Sequence, residues 1–130
     1  GERQPKIEKI QTISTTGPKA LSQLTAASSM RLSTDEKHMF CGNAGDNTVT
    51  VYDRDPKTGL LDYICCLPIS GSYPKDICVF PDDKHIASIN HENGSITFFS
   101  VDYKKGLLIM NGKEIIVNEP NSCVIVKVGE

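Results

Sequence analysis

Lys75-Asp76 and His91-Glu92 are two adjacent pairs whose side chains suit chemistry on an anionic substrate. A lysine ammonium can hold a phosphate or a carboxylate. Histidine titrates near neutrality and can serve as general acid or base. Asp76 or Glu92 can orient a water molecule. On this reading His91 and Asp76 are the catalytic candidates, and Lys75, Asn43 and Asn90 are the substrate-binding candidates. Each has a plainer reading beside it. Lys75 and Asp76 can neutralise each other as an ion pair. His91, in His-Glu-Asn-Gly, can be an ordinary loop residue. Asn43 and Asn90 can close a strand through an Asx-type turn.

Other chemistries leave no trace in the pattern. The five cysteines, Cys41, Cys65, Cys66, Cys78 and Cys123, form no Cys-x-x-Cys pair. They read as small buried hydrophobes kept reduced, neither a disulfide framework nor a zinc site. No two histidines are spaced as a metal pair, so neither a metal nor a cofactor is expected. There is no glycine-rich phosphate loop and no nucleophile elbow, since Ser70-Gly71-Ser72 lacks the spacing. The net charge is −2 and there is no basic stripe, which argues against a nucleic-acid partner. No apolar run approaches the roughly 18 residues of a membrane span. Gly1–Ser14 has no apolar signal core, so a cytoplasmic location is expected unless that start is not native.

The elements that must position these residues are written twice. Asp35–Leu61 aligns without gaps on Asp82–Leu108 at an offset of 47, with identities at ten of 27 positions. Each copy reads as four short strands, a to d, separated by turn residues. In the first copy they are Ser29–Ser33, Lys37–Asn43, Asn47–Arg54 and Leu60–Ile69. In the second they are Lys75–Phe80, His85–Asn90, Ser95–Val101 and Leu107–Val117. Ile7–Ser14 reads as the d strand of a preceding unit, and Ser122–Val128 as a further a strand. A repeated four-stranded unit of this length is the pattern of a β-propeller blade.

The expected fold is therefore all-β: four-stranded antiparallel blades, about two of them with flanking strands. Residues 1–28 would end a preceding blade and connect it, 29–70 and 75–117 would be blades, and 122–128 a ring-closing strand. Blades pack on one another around a ring, which explains strands that are apolar on both faces. Two blades are fewer than a ring needs, so the chain reads as the C-terminal part of a longer protein. A two-blade protein that assembles by symmetry is a further possibility.

Particular residues carry a family resemblance. They are Ser33-Thr34-Asp35-Glu36, Asn43, Gly45-Asp46-Asn47-Thr48-Val49, Asp53-Arg54-Asp55-Pro56-Lys57-Thr58-Gly59-Leu60-Leu61, Pro74-Lys75-Asp76-Ile77 and Glu119-Pro120-Asn121-Ser122-Cys123-Val124-Ile125-Val126. In this order they resemble the C-terminal third of the lactonase-type seven-bladed propellers, the 6-phosphogluconolactonase-like family. The resemblance implies a seven-bladed ring and, for a full-length parent, hydrolysis of a sugar lactone such as 6-phosphogluconolactone. Two positions depart from the family's pattern. Asn43 is followed by Ala44 where the family often has Arg, and Lys75 stands where it has Arg. Lysine keeps the charge but loses the bidentate fork.

In such a ring, strand a lines the central channel. The loops Thr15–Ala27, Asn43–Asn47, Gly71–Pro74, His91–Gly94 and Asn118–Asn121 share one end of it. A pocket there would draw on Ser28, Asn43, Lys75, Asp76, Asn90, His91 and Glu92. The expected partners are a small sugar lactone or phosphate ester and the remaining blades or a second copy of the chain, with no nucleic acid and no membrane. The rival to the lactonase reading is a non-catalytic propeller serving as a ligand- or protein-binding scaffold.

Overall fold

The computed structural model describes residues 4–18 and 25–129. The expected connection Thr15–Ala27 therefore lies partly, over residues 19–24, outside the described residues. β1 (Ala26–Leu32), β2 (His38–Ala44), β3 (Thr48–Arg54) and β4 (Leu61–Pro68) pair in chain order as one antiparallel sheet. β5 (Pro74–Val79), β6 (His85–Asn90), β7 (Ser95–Asp102) and β8 (Leu107–Met110) repeat that order, and β9 (Ile115–Ile116) also pairs with β7. The described residues contain no helix, and so none long and apolar enough to cross a membrane.

The turns repeat because their side chains do. Asp35 Oδ1 accepts the Lys37 amide at 3.0 Å, and Asp82 Oδ1 accepts the Lys84 amide at 2.9 Å. The next residue round each turn, Glu36 or Asp83, is left-handed, with φ of 60° and 56°. Gly59 and Gly106 close the β3–β4 and β7–β8 turns at φ 76° and 65°, where a Cβ would be strained.

The core lies between the two sheets. Phe40, Val49, Val51 and Cys65 meet Ile77, Ile86 and Phe99, with Ile69 from the connection. Contacts at both the turns and the inner strands fix the sheets against each other. At one end Asp83 accepts the Thr34 amide and hydroxyl, each at 2.6 Å, and the Asp35 amide at 3.0 Å. Beside it Tyr103 stacks on His38 with ring centroids 3.7 Å apart. On the inner strands Arg31 pairs with Asp76.

The outer face of the first sheet is covered by the N-terminal segment. Tyr52 Oη donates to the Ser14 carbonyl at 2.5 Å, and Thr50 Oγ1 donates to the Thr15 carbonyl. Thr97, one repeat after Thr50, donates in the same way to the Ile69 carbonyl at 2.7 Å. Thr15 thus stands to the first blade as Ile69 stands to the second.

Three expected strands differ in detail. Leu107–Val117 is split into β8 and β9 after Asn111, whose amide still donates to the Phe98 carbonyl at 2.7 Å, because Gly112 turns the chain at φ 72°. Ile7–Ser14 and Ser122–Val128 form no ladder. A strand exists only by pairing, and neither segment pairs backbone to backbone with an edge strand: Gln11 meets Leu61 through its side-chain amide, and the Cys123 amide donates to the Asp76 carboxylate. Their apolar side chains stand in the open, with Ile7 95% and Val128 84% exposed.

Candidate functional site

The innermost strands carry the same irregularity twice. β1 skips register between Ala27 and Ser29, and β5 skips it between Pro74 and Asp76. Ser28 and Lys75 are the extra residues. A bulge leaves its residue unpaired in the ladder and re-aims its side chain. Ser28 Oγ donates inward, to the Gly42 carbonyl at 3.1 Å and to the Pro74 carbonyl. Gly42 is needed there, since a Cβ would meet Ser28 Oγ at 3.0 Å. Lys75 is exposed and makes no ion pair among the described residues.

Asp76 is not paired with its neighbour Lys75. Arg31 grips it from the adjacent inner strand, Nε to Oδ1 at 3.2 Å and Nη2 to Oδ2 at 2.8 Å. The Ile77 amide donates to Oδ1 at 2.9 Å and the Cys123 amide to Oδ2 at 3.1 Å. The residue is only 4% exposed. Burial pushes its carboxyl up, but Arg31 and the two amides outweigh this and hold it below the usual range. Asp76 is thereby an ionised, fully engaged acceptor. Arg31 was absent from the expected site, although an arginine on a channel-lining a strand was the signal that could have found it.

Asn43 and Asn90 are completely buried. Each lies at the end of the second strand of its blade and donates across to the third. Asn43 Nδ2 reaches Thr48 Oγ1 at 3.2 Å, Thr50 Oγ1 at 3.0 Å and the Thr15 carbonyl at 2.8 Å. Asn90 Nδ2 reaches Ser95 Oγ at 3.2 Å and Thr97 Oγ1 at 3.0 Å. These amides tie strands together, where an Asx turn was the plain expectation. Gly71 packs over Asn90, and a Cβ on it would sit 2.3 Å from Nδ2.

His91 and Glu92 lie at the loop end, in a cleft of about 310 Å³ that they share with Asn93, Asn118 and Glu119. His91 Nδ1 is 3.1 Å from the Pro120 carbonyl and its amide donates to the Tyr73 carbonyl at 3.0 Å. Glu92 also borders a second cleft of about 360 Å³ with Ala26, Ala44, Asn47, Ser72 and Tyr73. There Ser72 Oγ donates to Glu92 Oε2 at 3.1 Å. Tyr73 was also missed. It holds a left-handed φ of 59°, its amide donates to Asn47 Oδ1 at 2.8 Å, and its ring meets His91 edge-on at 6.3 Å.

The expected residues therefore occupy three settings. His91 lines a loop-end cleft with Glu92, Lys75 stands exposed on the inner-strand bulge, and Asp76, Asn43 and Asn90 are buried in networks. A larger cleft, about 630 Å³, is at the opposite end among Asp35, His38, Asp82, Asp83 and His85. Its carboxylates are occupied by turn amides and by the latch between sheets. Among the described residues no group of three or more His, Cys, Asp or Glu could hold a metal.

The comparisons with known proteins agree with this geometry. The family profile Lactonase, 7-bladed beta-propeller matches residues 2–126. An uncharacterized protein of Lactococcus lactis is 26% identical over 124 residues, covering 95% of this chain and 36% of its own length. The 6-phosphogluconolactonase of Bacillus subtilis is 21% identical over 115 residues, covering 88% of this chain and 33% of its own. The crystal structure of a candidate 6-phosphogluconolactonase from Bacteroides fragilis superposes with a TM-score of 0.73 at 24% identity. That superposition covers 87% of this chain and 31% of the other, and at that identity it speaks for the fold. The chain thus spans about a third of the length of the curated relatives it matches.

Proposed function

Because the chain belongs to the lactonase family of seven-bladed β-propellers, we propose that it is the C-terminal part of a ring that hydrolyses a sugar lactone such as 6-phosphogluconolactone. The observation that carries this reading is Lys75. It is an exposed cation without an ion-pair partner among the described residues, set by a bulge on the strand that would line the channel. A phosphorylated lactone needs such a charge near its phosphate.

Hydrolysis adds water to the lactone carbonyl and breaks the bond to the ring oxygen. The ring oxygen gains a proton, and the product carboxylic acid releases one to the solvent. Lys75 would hold the phosphate or the developing carboxylate. His91, whose Nδ1 faces the Pro120 carbonyl, would use Nε2 for proton transfer at the loop end. Asp76 acts through Arg31, as the counter-charge that keeps that guanidinium on the inner strand. Further groups would come from the other blades, which are the partners this reading requires.

The test is steady-state hydrolysis of 6-phosphogluconolactone by the full-length parent and its Lys75→Ala variant. KM should rise about 10-fold with a smaller change in kcat, equivalent to losing one charge-assisted contact. An unchanged KM would remove Lys75 from the site.

A second reading, a non-catalytic ligand- or protein-binding scaffold, has two observations of its own. Ala44 is apolar and buried, and Asp76 is already committed to Arg31. This reading expects a parent that binds a phosphorylated sugar acid without turning over the lactone.

A further inference from the structure

One pair of facing positions recurs in the repeat. Arg31 reaches forward to Asp76, and one repeat later Cys78 occupies the position of Arg31 and Cys123 that of Asp76. Both pairs are separated by the same 45 positions. The first contact joins the two blades. The second joins the second blade to the C-terminal segment, and there the ion pair is replaced by two thiols.

Independent contacts place Cys123 in that slot. Its amide donates to Asp76 Oδ2 at 3.1 Å, and its Sγ lies 3.8 Å from the same oxygen. Cys78 is two residues beyond Asp76 on β5, so it shows its side chain on the same face. Cys123, held against Asp76, and Cys78, two residues along the same face of β5, are thereby placed side by side. No other cysteine pair is so placed. Cys65 and Cys66 are chain neighbours, and Cys41 and Cys66 both pair with Thr50 from opposite sides, a strand apart.

We propose that Cys78 and Cys123 form a disulfide clasp that fastens residues 122–128 to β5, with a low-molecular-weight disulfide as oxidant. One cysteine thiolate attacks a sulfur of the small disulfide and expels one small thiol. The second cysteine attacks the resulting mixed disulfide and expels the other. The protein loses two hydrogens and the oxidant becomes two thiols. In the chain by itself the segment has no ladder and exposes Val124, Val126 and Val128, so the disulfide would be its covalent tether to β5. Burial, and the adjacent Cys78 and Asp76, raise the Cys123 thiol, while Arg31 opposes them. The exchange is therefore slow at neutral pH.

The test is to incubate the folded 130-residue chain with oxidised glutathione and map it by trypsin without reduction. The peptide Asp76–Lys84 should be joined to Glu114–Lys127. Cys78→Ser and Cys123→Ser should each lose that species, and Cys41→Ser should keep it. In the oxidised chain, amide exchange over residues 122–128 should slow several-fold. A different linked pair as the main product, or free thiols at both positions after exchange, would overturn the disulfide. Unchanged amide exchange in the linked chain would overturn the clasp.

Discussion

Asp76 is where a buried charge has most to lose. Removing Arg31 leaves its carboxylate with two amides and no counter-ion, so Arg31→Ala should destabilise the chain by roughly 1–3 kcal/mol in urea unfolding. The pH dependence has a definite sign. The folded carboxyl titrates below its ordinary value, so the unfolded chain takes up the proton first as pH falls. The stabilisation is full above the ordinary aspartate range and is lost as pH drops through the folded value. Urea midpoints measured from about pH 5 down to about pH 2 should fall less steeply for Asp76→Asn than for the wild type. An equal slope would mean that other carboxylates carry the acid sensitivity.

A second residue-scale prediction comes from comparing the two buried asparagines. Ser88 Oγ donates to Asn90 Oδ1 at 2.8 Å, whereas Asn43 Oδ1 is buried with no partner among the described residues. The residue equivalent to Ser88 is Cys41, whose thiol is a weak donor and lies 3.8 Å from the Gly42 carbonyl. Cys41→Ser should supply the missing bond and stabilise the chain by about 0.5–1.5 kcal/mol, while Ser88→Cys should cost a similar amount. Thermal melts of both variants check it, and shifts in the same direction would refute it. The asparagines were legible as recurrent residues. Their network was not, because the partners come from strand β3 or β7 and from the preceding blade, and only folding brings them together.

At the level of elements, the strands followed from the repeat because turn chemistry and apolar runs agree within each copy. The bulges at Ser28 and Lys75 were not legible. A bulge is a register mismatch between two strands, and neither strand alone records it. The split of the last strand was foreshadowed by Asn111-Gly112, a turn dipeptide inside an apolar run. The Gly71 loop gives this scale its prediction. A Cβ there would meet Asn90 Nδ2 at 2.3 Å, so Gly71→Ala must displace a fully buried amide or the loop above it. A loss of about 1–3 kcal/mol is expected on overpacking grounds. Gly112→Ala, with nothing within 4 Å but a left-handed φ, should cost only about 1 kcal/mol. Denaturant midpoints should rank them in that order.

Across the whole molecule, the sequence repeat made the radial architecture readable before any coordinate. What it hid was the division of labour among the candidate residues. Lys75 and Asp76 are neighbours in the chain, yet the bulge leaves one exposed while the other is locked to Arg31. The apolar surface tells the same story as the repeat. Ile109, Ile115 and Ile116 on the last sheet and the valines of residues 124–128 are exposed where a further blade would pack. The isolated chain should therefore self-associate in sedimentation velocity, and Ile116→Lys should reduce that association. The central claim is the proposal that these blades belong to a lactone-hydrolysing ring. It is tested most directly by following acid release from 6-phosphogluconolactone at constant pH in the presence of the full-length parent. Acceleration well above spontaneous hydrolysis, greater than with the unphosphorylated lactone, is the predicted result. No acceleration of either lactone by a folded parent would contradict it.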